Sequence, residues 1–232
     1  NNKVIVLVHG ATFGSLAYEE YVNVFIKNNY RVITYDQYGR GYSDRINSNV
    51  SIELMERQLK ELIEHCKVED VILYGVSFGA AVVAKYSANN PENISFVGYQ
   101  VPLINSANIP LLSIVKIPLY GDLLIRGFLV PGVLKRIEEY EDLMSKKLLD
   151  HYIGQFNVKG TEKFFKKFFL GNATGNRLED HSIIGNKSIP SYFAYAEDDT
   201  EIDSKLVEET IKKYQSPIAV SYTHLRAHET RE

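Results

Sequence analysis

The 232-residue chain has a single cysteine, Cys66. No disulfide framework can staple it, and a reducing compartment, the cytoplasm, is the expectation. The six histidines and one cysteine show no zinc-binding spacing, so neither metal nor cofactor is expected. No charge of one sign dominates: 26 Lys and Arg stand against 29 Asp and Glu, a net −3 at pH 7. That gives no general attraction to nucleic acid. There is no apolar run of membrane length either. Leu111 to Val115 is followed by Lys116, Asp122 and Arg126 and punctuated by Pro110, Pro118 and Pro131, which argues against a span. No stretch resembles a signal peptide, yet the chain opens Asn1-Asn2 without Met and runs straight into a strand pattern. A missing upstream segment is therefore the expectation.

What the chain does have is one organising turn. Val71-Ile72-Leu73-Tyr74 is an apolar run that stops at Gly75, and a small-residue helical stretch starts at Phe78. Ser77 sits between them in a G-x-S-x-G frame, which is a nucleophile elbow if the turn joins strand to helix. The spacing has a steric cause. A serine at positive φ needs bare backbone two residues to either side, and Gly75 and Gly79 supply it. The Phe78 amide, at a helix N-terminus, then becomes an oxyanion donor. Ala80, Ala81 and Ala84 let the helix lie close to the sheet. The bland alternative is a structural Gly-rich turn.

In chain order, Val4 to Val8 reads as a strand buried on both faces, ending at His9-Gly10. Tyr18, Tyr21, Val22 and Phe25 share one helical face, and Arg31 to Tyr35 is the next strand. Asp36-Gln37-Tyr38-Gly39-Arg40-Gly41-Tyr42-Ser43 has no third glycine and no P-loop lysine, so it reads as a compact loop tied by Asp36 and Ser43 to backbone amides. Ser51 caps a helix whose apolar face runs from Ile52 to Cys66. A strand follows at Ile94 to Tyr99. From Pro102 to about Lys187 the texture is helical and apolar, with one amphipathic helix over Leu134, Ile137, Tyr140, Met144 and Leu148. A second, Thr161 to Leu170, buries its phenylalanines. Ser191 to Ala196 resumes strand character, Ile202 to Tyr214 reads as a helix, and Ile218 to Tyr222 as a last short strand. The fold class is therefore α/β, with a mostly parallel sheet. Its core is 1–101 and 188–222, 102–187 is an inserted helical lid, and 223–232 is a non-native or disordered tail.

His9-Gly10 after a strand, the Asp36-x-x-Gly39-x-Gly41-x-Ser43 loop, the Gly75-x-Ser77-x-Gly79 turn and Asp198-Asp199 after a late strand resemble the lid-bearing branch of the α/β-hydrolases. Carboxylesterases, monoacylglycerol lipases, proline iminopeptidases and meta-cleavage hydrolases belong to that branch. The resemblance implies Ser77 as nucleophile, with the amides of Phe78 and Ala11 as the oxyanion hole and Thr12 as the alternate. It implies Asp199 as the triad acid, Asp198 as runner-up, and His228 or else His224 as the base. His9 and Asp36 fall at loop-building positions. It also implies strands before Val4 and a closing helix, so a fragment and a weak catalyst are expected. The implied activity is hydrolysis of an apolar small-molecule ester. Carbon–carbon bond hydrolysis, aminopeptidase activity and ligand binding without turnover are the alternatives.

Overall fold

The computed structural model describes residues 3–105, 115, 117, 119–138, 141–171, 173–199 and 202–222. The tail from 223 on, with His224 and His228, lies outside them.

Six strands form one sheet: β1 (Val4–Val8), β2 (Arg31–Thr34), β3 (Val71–Val76), β4 (Ile94–Gln100), β5 (Ser191–Ala196) and β6 (Ile218–Tyr222). Their spatial order is β2-β1-β3-β4-β5-β6, and every neighbouring pair is parallel. Parallel strands need crossovers, and helices supply them on both faces. That is why β1 is apolar at every position. Ile5 and Leu7 face α1 (Glu19–Lys27), where Tyr21, Val22 and Phe25 cover them. Val6 and Val8 face the opposite layer, built from α2 (Ile52–His65) and α3 (Phe78–Asn89). The α2 helix starts where Ser51 Oγ accepts the Leu54 amide at 3.2 Å. It buries Ile52, Met55, Leu59 and Ile63, each worth about 1.5–3 kcal/mol of transfer free energy. Cys66 is half-buried at its end.

Between β4 and β5 the regular elements among the described residues are all helices. The α4 helix (Tyr120–Leu124) continues through a π-helical turn, Ile125–Leu129, into α5 (Val130–Glu138). Then come α6 (Lys146–Gly154), α7 (Thr161–Leu170) and α8 (Leu178–Asn186). The single amphipathic helix expected across Leu134 to Leu148 is not formed. Ser145, in extended backbone, interrupts the pattern and begins α6 by accepting the Leu148 amide on its Oγ at 3.3 Å; Tyr140 lies outside the described residues. A serine cap satisfies amides that a continuous helix would have paired within itself. Similarly the last helix, α9 (Ser204–Ile211), is shorter than its apolar pattern, because Asp203 caps it through the Leu206 amide at 3.1 Å.

The inserted helices meet the loops that follow β1 and β2. Tyr152 of α6 packs on Phe13 with ring centroids 4.3 Å apart, and Arg45 Nε donates to Thr161 Oγ1 at 3.0 Å. The α8 helix lies against α3, where Lys85 Nζ and Asp180 Oδ1 are 3.6 Å apart. Among the described residues no helix is long and apolar enough to cross a membrane.

Candidate active site

Ser77 is the hinge between β3 and α3, at φ 52° and ψ −117°. A serine in that region is strained by about 1–3 kcal/mol and persists only if its surroundings over-determine it. They do. Its amide donates to the Gln100 carbonyl of β4 at 2.9 Å, and its carbonyl accepts from Ala80 and Leu103 at 3.0 and 3.3 Å. A second strained residue stands beside it: Val101, at φ 47°, donates its amide to the Ala194 carbonyl of β5 at 2.7 Å. The carboxyl ends of β3, β4 and β5 are thereby stitched side by side. The two frame glycines are required by contact. A Cβ at Gly75 would sit 2.5 Å from the Gly79 carbonyl oxygen. One at Gly79 would sit 2.6 Å from the His9 oxygen and closer still to that of Val8. Gly10 borders the serine, its Cβ position 3.5 Å from Ser77 Cβ. The Phe78 amide opens the 12-residue helix α3, where the helix dipole favours negative charge.

Behind this turn His9 is a structural group. Its Nε2 accepts the Gln37 amide at 2.9 Å and its Nδ1 donates to the Gly10 carbonyl at 2.8 Å. Burial pushes the imidazole down to about 4, against the opposing effect of the Gly10 bond. Both ring nitrogens are used, and neither is left to act as a base. Asp36 gathers the Ser15 and Tyr42 amides at 2.7 and 2.8 Å, the loop-tying role expected for it. Ser43 works otherwise than expected: its Oγ donates to the Asp36 carbonyl at 2.5 Å, because its hydroxyl faces an oxygen there and not an amide.

Two residues of the site were not singled out in the sequence. Gln155, only 4% exposed, reaches from the end of α6 to the loop after β1. Its Nε2 donates to the Thr12 carbonyl at 2.8 Å and its Oε1 accepts the Gly41 amide at 3.3 Å. Arg40 is 2% exposed. Its Nε donates to the Ala11 carbonyl, and its guanidinium carbon lies 5.2, 4.5 and 5.0 Å from the ring centroids of Phe164, Phe165 and Phe168 on α7. Burial, and secondarily the nearby Arg45, lower its pKa to about 9, which leaves it charged at neutral pH. Phe168 also stacks edge-on against Phe78, centroids 4.8 Å apart. The only signal for this cluster in the sequence is the interleaving of phenylalanine and lysine in α7.

Asp199 and Asp198 follow β5, at the same edge of the sheet as Ser77. Asp199 is half-buried and its Oδ1 accepts the Ile202 amide at 2.9 Å, whereas Asp198 is exposed. Each makes further polar or electrostatic contacts. Among the described residues no histidine is hydrogen-bonded to Ser77. His65 is exposed at the end of α2. His151 lies beside Tyr42, ring centroids 5.2 Å apart. His181 is fully buried among Tyr99, Phe193 and Tyr214, its Nδ1 2.5 Å from the Tyr214 hydroxyl, and burial lowers it to about 3.

The model of the family described as "Serine aminopeptidase, S33" matches residues 1–117, half of the chain. The chain belongs to that family of α/β-hydrolases. The matched stretch contains the Gly10 turn, the Asp36 loop and the Ser77 turn. The AB hydrolase superfamily protein YisY of Bacillus subtilis (strain 168) is 29% identical over 90 residues, which are 39% of this chain and 34% of its own. The α/β-hydrolase chain spans about a third of the length of the curated relatives it matches. The solved structure of MGS-M2, an α/β-hydrolase enzyme from a Medee basin deep-sea metagenome library, superimposes with a TM-score of 0.77 at 19% identity. That match covers 96% of this chain and 81% of the other. The esterase EaEST from Exiguobacterium antarcticum gives 0.74 at 15% identity, over 96% of this chain and 84% of its own. At such identities the likeness is one of fold.

Proposed function

We propose that this chain is a serine hydrolase that cleaves a carboxylic ester of an apolar acyl substrate through an acyl-enzyme on Ser77. The observation that carries the reading is the strained backbone of Ser77, held between two glycines that contact allows no other residue to replace. In the proposed reaction Ser77 Oγ attacks the ester carbonyl while a histidine, His228 by preference over His224, takes its proton. Asp199, with Asp198 as alternate, orients that histidine. The tetrahedral oxyanion is received by the amides of Phe78 and Ala11, Thr12 being the alternate to the latter. The alcohol leaves with the proton, and water then releases the acid from Ser77. The phenylalanines of α7 beside Phe78 support an apolar acyl group.

A second reading is peptide-bond hydrolysis at the same serine, favoured by the description of the matched family. A panel of nitrophenyl esters, monoacylglycerols and aminoacyl arylamides separates the two. The ester reading expects nitrophenyl butyrate to be turned over by the parent and not by Ser77→Ala. Equal rates in the two proteins would remove it, and arylamide turnover exceeding that of esters would favour the second.

A further inference from the structure

Arg40 poses a charge problem. Taking a guanidinium out of water is expensive unless an anion or a full set of acceptors replaces the water. Among the described residues the Arg40 side chain makes one hydrogen bond, from Nε to the Ala11 carbonyl, and its Nη1 has no partner. No carboxylate of the described residues pairs with it. Asp36, the acid of the same loop, turns its oxygens to the Ser15 and Tyr42 amides, and its charge acts on His9 and Arg45. His9 is neutral. Three phenylalanine faces accept the cation, but ring faces leave its charge unbalanced.

The position of this charge supplies the reason. Arg40 touches Ala11 directly. One of the rings over it, Phe168, also touches Phe78. Those are the two residues whose amides are assigned to the oxyanion hole, and Gly10, next to Ala11, borders Ser77. From the guanidinium through the Ala11 oxygen and nitrogen to an oxygen bound by the Ala11 amide is at most about 10 Å. In a site with an effective dielectric of about 20, a unit charge at that distance favours an anion over a neutral isostere by roughly ten-fold or more.

We propose that Arg40 is the counter-charge for an anion held at the Ser77 turn, so that this site prefers a monocarboxylate, the acid product, to its uncharged analogue. The proposal rests on the reading of Ser77 as the reacting group. A neutral ester enters, and negative charge appears only on the way to product, so a fixed buried cation acts on the oxyanion and the acid more than on the substrate. Arg40 touches neither and is a positioning and electrostatic residue.

The test is calorimetric titration of the parent with hexanoate and with hexanamide, repeated with Arg40→Met and Arg40→Lys. None of these titrations requires turnover. The expected result is hexanoate bound at least ten-fold more tightly than hexanamide by the parent, no preference in Arg40→Met, and a preference kept in Arg40→Lys. Equal affinities in the parent, no binding of hexanoate, or an undiminished preference in Arg40→Met would overturn the proposal. If Arg40→Met does not fold, Arg40→Gln takes its place with the same expected and overturning results. Ester turnover without carboxylate preference removes the counter-charge and leaves the hydrolase reading. Carboxylate preference without turnover does the reverse.

Discussion

Replacing Gly79 by alanine probes the packing on which the Ser77 turn rests. Two effects oppose. Alanine is the better helix former, by up to about 1 kcal/mol in a helix interior and less in the first turn, where Gly79 sits. Against that, the new Cβ would lie 2.6 Å from the His9 carbonyl oxygen and closer still to that of Val8. Both atoms belong to backbone at the end of β1, a strand paired on both sides, so they cannot yield as a flexible side chain would. The α3 helix must back away by about 1 Å to restore contact distance, and it carries Phe78 and Phe168's packing with it. Overpacking of this kind costs about 1–3 kcal/mol, and rigid backbone on both sides puts Gly79→Ala at the upper end. The net expectation is a loss of about 2–3 kcal/mol, a fall in Tm of roughly 5–10 °C for a chain of this size. Gly154→Ala is the control: it is helical at φ −59°, with nothing within 4 Å of the added Cβ. It should gain about 0.4–1 kcal/mol. Scanning calorimetry on the three proteins measures both signs. A Gly79→Ala protein as stable as its parent would refute the packing argument.

Ser77→Gly should raise stability by about 1 kcal/mol, the relieved strain of about 1–3 kcal/mol less the extra chain entropy of glycine, while ester turnover disappears; a lower Tm would show that the serine is unstrained. His9 and His181 have folded pKa values of about 4 and about 3, below the unfolded value near 6.5, so the unfolded chain takes up protons first and stability falls as pH drops below 6.5. At pH 5 each contributes a loss of about 2 kcal/mol relative to neutral pH, and a Tm unchanged between pH 7.5 and 5 would contradict their buried, neutral state. Gln155→Ala leaves the Thr12 carbonyl and Gly41 amide without their partner, at about 1–3 kcal/mol each. Faster amide exchange across residues 11–15 should accompany the loss, and unchanged exchange there would argue that the helices between β4 and β5 do not hold this loop.

Much of the sheet could be read directly, for physical reasons. Both faces of β1 and β3 are covered, so their apolar runs needed no periodicity to interpret. The Ser77 turn was legible because contact leaves glycine no substitute at 75 and 79. The edges of helices were less so: the apolar spacing through Leu134 to Leu148 continued across a boundary set by one hydroxyl, that of Ser145. Arg40 was invisible for a different reason. An arginine between two loop glycines ordinarily faces water, and the rings that enclose it come from a helix remote in sequence. The phenylalanines of α7 announced a buried face, but nothing in their spacing said that a cation lay beneath it.

The hydrogen bond from the Ser77 amide to the Gln100 carbonyl, and the seat of Gly79 on β1, have a consequence for folding. The serine's strained backbone is enforced by partners at both ends of the first hundred residues, joined through parallel pairings that no hairpin can make locally. Such pairings close long loops and form slowly. A chain emerging in order can build the Asp36 loop early, but it cannot bend Ser77 into place until β4 has docked beside β3. Reactivity at Ser77 should therefore rise late in refolding, after helix content, and serve as a clock for completion of the parallel sheet.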